Sequence, residues 1–301
     1  MNSVTERQNE DRQLRRLLAQ RRLYSRAKLL LGIQTALVVP GAIAWSLVVI
    51  WQPHLKVFAG LWGALVTLAD QVLFTPWQQS LKDRAARIQE QFDCDVLEME
   101  WQDITVGARP SAEVVTEFGT LKEGESFEGH RLVDWYPKEI EPLSIEQARA
   151  ICQRTNCWWD SRLRRKYAAW SIGVVVALLV AAIFLGVGKS IPLDAFVVGV
   201  FLPFLPLMIL GFRQFNEQRQ AADRLDKLRQ HIEKQWDQLI SDKASKEALA
   251  ESARRVQDEL FDHRKRNPVV FDWVYNLLRD EQEEIMHRNA QDLVREVTAR
   301  S

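Results

Sequence analysis

Between Leu29 and Trp51 the chain reads LLLGIQTALVVPGAIAWSLVVIW, 23 residues without a single charge. A run of about 18 or more apolar residues is long enough to cross a hydrocarbon core of roughly 30 Å. Three more runs follow: Val57 to Phe74, carrying only Asp70; Ala168 to Gly188, again uncharged; and Leu193 to Phe212, with Asp194 at its outer end. One such run suits a buried core helix as well as a membrane span. Four of them, two without charge, predict a mainly α-helical membrane protein whose four transmembrane helices form two hairpins. The mean hydropathy of -0.21 hides this, because the rest of the chain is strongly polar.

The basic residues set the expected orientation, since Lys and Arg near span ends favour the cytosol. Seven lie between Arg12 and Lys28, and Lys82, Arg84 and Arg87 follow the second run. Arg162, Arg164, Arg165 and Lys166 precede the third run, and Arg213, Arg219, Arg224, Lys227 and Arg229 follow the fourth. The two short connections hold only Lys56 and Lys189. The basic ends therefore share one side, and both termini are expected in the cytosol of a multi-pass inner-membrane protein. Trp51, Trp77 and Trp170 fit the interfacial aromatic belt. Met1 to Gln20 is densely polar and no small-residue cleavage site follows the first run, so that run is expected to be a retained anchor.

The chain then divides into residues 1–28, a basic helix; 29–74, the first hairpin; 75–167, a mostly helical insert; 168–212, the second hairpin; and 213–301, a helical tail. In the first segment Leu14, Leu17, Leu18 and Leu30 fall near one stripe, which suits either a helix on the membrane surface or a solvated flank. In the insert, Pro76–Phe92, Ser111–Phe118 and Ser144–Arg154 read as helices, with Ser144 as an N-cap. The alternation of Leu97, Met99 and Trp101 predicts a short strand within Asp93–Trp101. In the tail, Leu225, Leu228, Ile232, Trp236 and Leu239 form a seam for self-association or for packing on the insert. Pro268 ends that pattern. A last helix from Asp272 to Val297 is expected to turn Val274, Leu277, Leu278, Ile285, Met286, Leu293 and Val294 inward.

Chemistry-bearing motifs are sparse. Gly188-Lys189-Ser190 resembles the end of a phosphate loop, but Ile183 stands where that loop needs Gly. No zinc-protease, nucleophile-elbow, dinucleotide or kinase signature is present, and the chain is not expected to be an enzyme or to hold a metal or cofactor. Cys94, Cys152 and Cys157 read as reduced, buried thiols. Within the spans Asp70, with Gln71 beside it and Gln34 in the first run, is either a pore-facing group or a snorkelling end residue. Pro40, Pro203 and Pro206 are expected to kink or loosen their helices.

Two further clusters combine aromatic planes, which stack on bases, with cations, which meet phosphates. Trp135 and Tyr136 join Arg154, Asn156 and Trp159 in one; Arg264, Lys265 and Arg266 join Trp273 and Tyr275 in the other. These ten side chains are the candidate ligand-binding residues.

Several stretches together resemble the SMODS-associated four-transmembrane effector family of bacterial cyclic-oligonucleotide antiphage systems. They are Leu18–Lys28, Ala86–Asp93, Asp134–Pro137, Cys152–Asp160 and Asn267–Tyr275. The resemblance implies a cell-suicide effector. A partner nucleotidyltransferase would make a cyclic di- or trinucleotide, and the cytosolic parts would bind it. The spans, in a homo-oligomer, would then open or assemble to permeabilise the inner membrane. The implied partners are the bilayer, that nucleotide and further copies of the chain, with no DNA or RNA polymer. Residue chemistry alone leaves a constitutive channel or transporter and a membrane-anchored scaffold or enzyme as the alternatives.

Overall fold

The computed structural model describes residues 2–188, 192–241 and 245–300. Lys189 and Ser190, the end of the phosphate-loop-like tripeptide, lie outside these residues. The described residues form eleven α-helices: α1 (Val4–Arg7), α2 (Asp11–Trp51), α3 (Lys56–Ala69), α4 (Thr75–Val96), α5 (Asp103–Val106), α6 (Ala112–Gly119), α7 (Ile145–Gly188), α8 (Leu193–Phe196), α9 (Leu202–Ile240), α10 (Lys246–Arg266) and α11 (Asp272–Arg300). Two π turns, Asp70–Phe74 and Val197–Phe201, splice α3 to α4 and α8 to α9. The result is four rods of 41, 44, 44 and 48 residues, each apolar in one half and polar in the other. The apolar halves are the four membrane spans, paired as two hairpins. Neither 28/29, 74/75, 167/168 nor 212/213 breaks a rod.

Each π turn lies four residues before a proline. A proline ring clashes with the carbonyl of residue i−4 and leaves it without its N–H partner. For Pro76 that residue is Val72, and for Pro203 it is Gly199, each the central residue of its π turn. The wider turn, closed by i→i+5 bonds, relieves the clash without breaking the rod. Close approach of the rods relies on small residues. A Cβ on Gly63 would lie 2.8 Å from the Leu202 carbonyl oxygen, and one on Gly211 would run into Val175.

The polar halves of the rods merge with α10, α11 and the α6–α7 connection into one folded body. Its main core joins Val4, Leu14, Leu17 and Leu18 to Phe92, Tyr136, Ile151, Trp236 and Val297. The first basic segment is therefore neither a membrane-surface helix nor a solvated flank; Leu14, Leu17 and Leu18 of its stripe are core, while Leu30 is only half-buried. The α9 seam is spent within the chain too, Leu225 and Ile232 packing with Cys157, Val256 and Leu260. Burial of all three cysteines, expected from sequence, is observed. Ser144 caps α7 by accepting from the Gln147 N–H (3.3 Å), while Gln147 accepts from the Ser144 N–H (3.1 Å).

Two expectations are corrected. The strand within Asp93–Trp101 does not form, and no strand occurs among the described residues. Instead α4 runs to Val96 and turns at Glu98, whose φ is 53°. Leu97, Met99 and Trp101 all pack inward, but no neighbouring chain offers a ladder for pairing. Leu277 is not inward-facing; it is 65% exposed.

Candidate functional site

Where the polar halves of the rods diverge they leave a cavity of about 650 Å³, within the range of small-molecule sites. Six of the ten candidate residues line it: Trp135, Tyr136, Asn156, Trp159, Arg264 and Tyr275. The two sequence clusters, over 100 residues apart, thus meet. The other four do not line it, for reasons of helical geometry: successive residues on a helix are about 100° apart. His263, Arg264 and Asn267 face the cavity, which turns Lys265 toward Asp83 (3.2 Å) and Arg266 toward Asp262 (2.6 Å). Arg154, one residue before the lining stripe of α7, pairs with Glu233 at 2.8 Å. Trp273 is 59% exposed and stacks on Trp170 outside the cavity.

Sequence reasoning missed Tyr24, Lys28, Gln89, Arg131, Arg164 and Arg279, all of which line the cavity. Their signal was present but faint. Tyr24 and Lys28 are four apart on α2, as Tyr275 and Arg279 are on α11, so each pair shares a helix face. The segment bearing Arg131 and Asp134 is unusual in backbone as well, with φ of 52° and 57° at these two residues. Non-glycine residues adopt such values at a cost, which the surroundings must sustain. Here Asn9 does so, its Nδ2 donating to Asp134 Oδ1 and its Oδ1 accepting from the Asp134 N–H, both at 2.9 Å.

The aromatic wall is Tyr24, Trp135, Trp159 and Tyr275, with the last two rings 6.0 Å apart. Tyr136 belongs as much to the core: it stacks on Phe92, and its hydroxyl donates to Asp93 at 2.7 Å. The Tyr24 hydroxyl is buried with no hydrogen-bond partner among the described residues. Five fixed cations face the cavity (Lys28, Arg131, Arg164, Arg264 and Arg279) against four acids (Glu128, Asp134, Asp160 and Glu283). Arg264 donates to Asp93 through Nη1 at 2.5 Å, and Arg131 meets Asp280 and Glu283 through Nη2, both at 3.0 Å. A guanidinium carries five N–H donors, so these forks retain capacity for another acceptor.

One corner is a relay of Asn267, His263, Asp160 and Arg164. His263 Nε2 lies 2.6 Å from Asp160, and its Nδ1 lies 2.6 Å from Asn267 Nδ2, which fits a neutral imidazole with the proton on Nε2. Burial first, and then the Arg164 charge, push His263 down to about 4. Although burial opposes it, Arg164 and the His263 hydrogen bond hold Asp160 below the usual carboxylate range. The sign follows: unfolded His263 takes up a proton near 6.5 and the folded form does not until about 4. Its contribution is complete above pH 6.5 and is lost on acidification toward 4, at up to about 1.4 kcal/mol per pH unit. Thermal midpoints of the chain and of His263→Gln, measured in detergent from pH 7 to 4, should show a flatter profile for the variant. Parallel profiles would show that His263 is not the titrating group.

The cavity floor is the α10–α11 linker, which touches all four rods. Lys82 of α4 donates to the carbonyl of Asn267 at 3.1 Å, and Arg164 of α7 to that of Pro268 at 2.9 Å. Gln218 of α9 donates to the Val269 carbonyl at 3.3 Å, Val269 packs on Ala27 and Leu31 of α2, and just beyond the linker Lys28 of α2 pairs with Asp272 of α11 at 2.5 Å. Phe271 abuts Gly32 in the first span and Tyr167 at the base of the third. The intramembrane polar residues also converge. Asp70, on its π turn, is 6% exposed. Gln34 donates to one of its carboxylate oxygens, Gln71 Nε2 lies 3.2 Å from the other, and Arg213 pairs with it at 2.7 Å. Asp70 therefore faces the bundle interior and joins one hairpin to the other.

Fold and cavity together define a four-span membrane protein with a ligand-sized, aromatic and basic chamber built on its rods. The family of SMODS-associating 4TM effector domains matches residues 2–293, and the chain belongs to it. It is 22% identical over 297 residues to a Bacillus cereus (strain VD146) protein named a probable CBASS effector molecule, covering 94% of this chain and 95% of that one. No solved structure matches it. The chain is thus a multi-pass effector of antiphage defence.

Proposed function

We propose that this effector binds a cyclic di- or trinucleotide in the chamber and, once occupied, permeabilises the bacterial inner membrane as an oligomer. The basic side, with both termini and the chamber, is the cytosolic side in this reading, in line with the positive-inside rule. The observation that carries it is the juxtaposition described above: stacking planes and guanidinium forks in one cavity, floored by a linker that is hydrogen-bonded to three of the rods and packed on the fourth. Trp159 and Tyr275 would hold a base, while Arg131 and Arg264 would meet phosphate oxygens. The ligand shifts the bundle only as far as it binds the open arrangement more tightly than the closed one.

Thermal stabilisation of the detergent-purified chain across a panel of cyclic di- and trinucleotides tests the first half, because a ligand bound only by the folded state raises the midpoint with concentration. One member should raise it and its linear analogue should not. Trp159→Ala should weaken that member by about 5- to 150-fold, since one base–aromatic stack contributes about 1–3 kcal/mol. Dye release from proteoliposomes on adding the same member tests the second half. No shift with any of the panel would overturn the nucleotide reading.

A further inference from the structure

We propose that the first two turns of α11 are a membrane-interface anchor, with Trp273 and Leu277 lying against lipid headgroups on the basic side. This inference rests on the four spans and not on nucleotide binding. Its first support is position. Trp273 stacks on Trp170, at the basic end of the third span, with ring centroids 5.9 Å apart and planes within 10° of parallel. Two residues earlier, Phe271 touches Gly32 inside the first span. The start of α11 is therefore level with the ends of two spans, although its own sequence is too polar to enter a bilayer.

The second support is exposure. Trp273 and Leu277, four residues apart on one helix face, are both more than half exposed, as is Val174, one turn deeper than Trp170. The lipid-facing surface of the third span thus passes onto α11 through the Trp170–Trp273 stack, with the exposed polar Asp272 and Asn276 beside it. Isolated exposed apolar residues need no account. A Trp and a Leu contiguous with a lipid-facing stripe, at headgroup level, match the amphipathic belt that bilayers select. Beyond these turns the face becomes acidic at Asp280, Glu281 and Glu284, and Glu281 pairs with Arg162 at 2.9 Å. The helix thus leaves the surface after one contact.

Placing an environment-sensitive fluorophore on Leu277→Cys tests this directly in the full chain, since Cys94, Cys152 and Cys157 are all buried. Glu284→Cys, about 10 Å further along α11, serves as the comparison. In phosphatidylcholine vesicles carrying a headgroup nitroxide, the label at 277 should be blue-shifted and strongly quenched, as a group at the headgroup boundary would be. The label at 284 should be quenched far less. A water-like, unquenched label at 277 overturns the proposal, as does quenching no stronger than at 284. Blue-shifted but unquenched emission also overturns it, because a protein surface would then cover the site.

Discussion

Asp70→Ala should destabilise the detergent-solubilised chain by about 3–5 kcal/mol, the usual cost of breaking a buried ion pair by removing one partner. Arg213 would be left near the membrane without its 2.7 Å partner, and Gln34 and Gln71 would lose their shared acceptor. Because Asp70 sits on the first hairpin and Arg213 on the rod of the second, the pair is also a clasp between hairpins. Proteoliposomes of the variant are therefore expected to release ions without any added ligand. The double variant Asp70→Ala/Arg213→Met separates these effects from general damage. Removing both charges should restore most of the thermal midpoint while leaving the clasp open and the leak intact. A single variant within about 1 kcal/mol of the parent, the range of exposed pairs, would show that the clasp holds nothing.

Arg264→Met should be nearly as damaging, and for a related reason. Arg264 lies over Asp93, whose carboxylate is fully buried and shares Gln257 with Glu90 at 2.8 Å on each side. Glu90 is itself paired with Arg254 at 2.6 Å, yet burial, and then the neighbouring Asp93 charge, still raise its pKa. Taking away Arg264 leaves two buried carboxylates with one cation, a loss of about 3–5 kcal/mol. That is a large part of the 5–15 kcal/mol that ordinarily holds a protein together. Asp93→Leu/Arg264→Met should recover most of the folding midpoint and none of any ligand affinity. Recovery of both would mean that Arg264 serves the fold alone.

The spans were legible because a bilayer imposes a crude requirement, a long apolar run, that local sequence either meets or fails. The seam, the Ser144 cap and the break at Pro268 were legible for the same local reason. The chamber was half legible. Trp159 and Tyr275 announce themselves as aromatics among cations, but which of Arg264, Lys265 and Arg266 faces inward depends on how α10 is rolled, and that is set mainly by contacts with α4 and α7. Tyr24 and Lys28 were hidden within residues that orientation alone already accounted for. Arg213 was read as one more flanking charge, although it is the partner Asp70 needed. The Leu97–Met99–Trp101 alternation was a true signal of inward-facing side chains, but a strand also needs a neighbour, which no local pattern supplies.

The π turns set the gearing of this molecule. Each adds one residue to its rod, and one residue is about 100° of rotation. Beyond Phe74, therefore, the stripe that meets the core is indexed independently of the stripe that meets lipid, whereas the turn at Val197–Phe201 re-indexes the fourth rod within its span, which runs on to Phe212. A one-residue deletion within Asp70–Phe74 would keep every helix and every apolar run, yet point the polar half of that rod the wrong way.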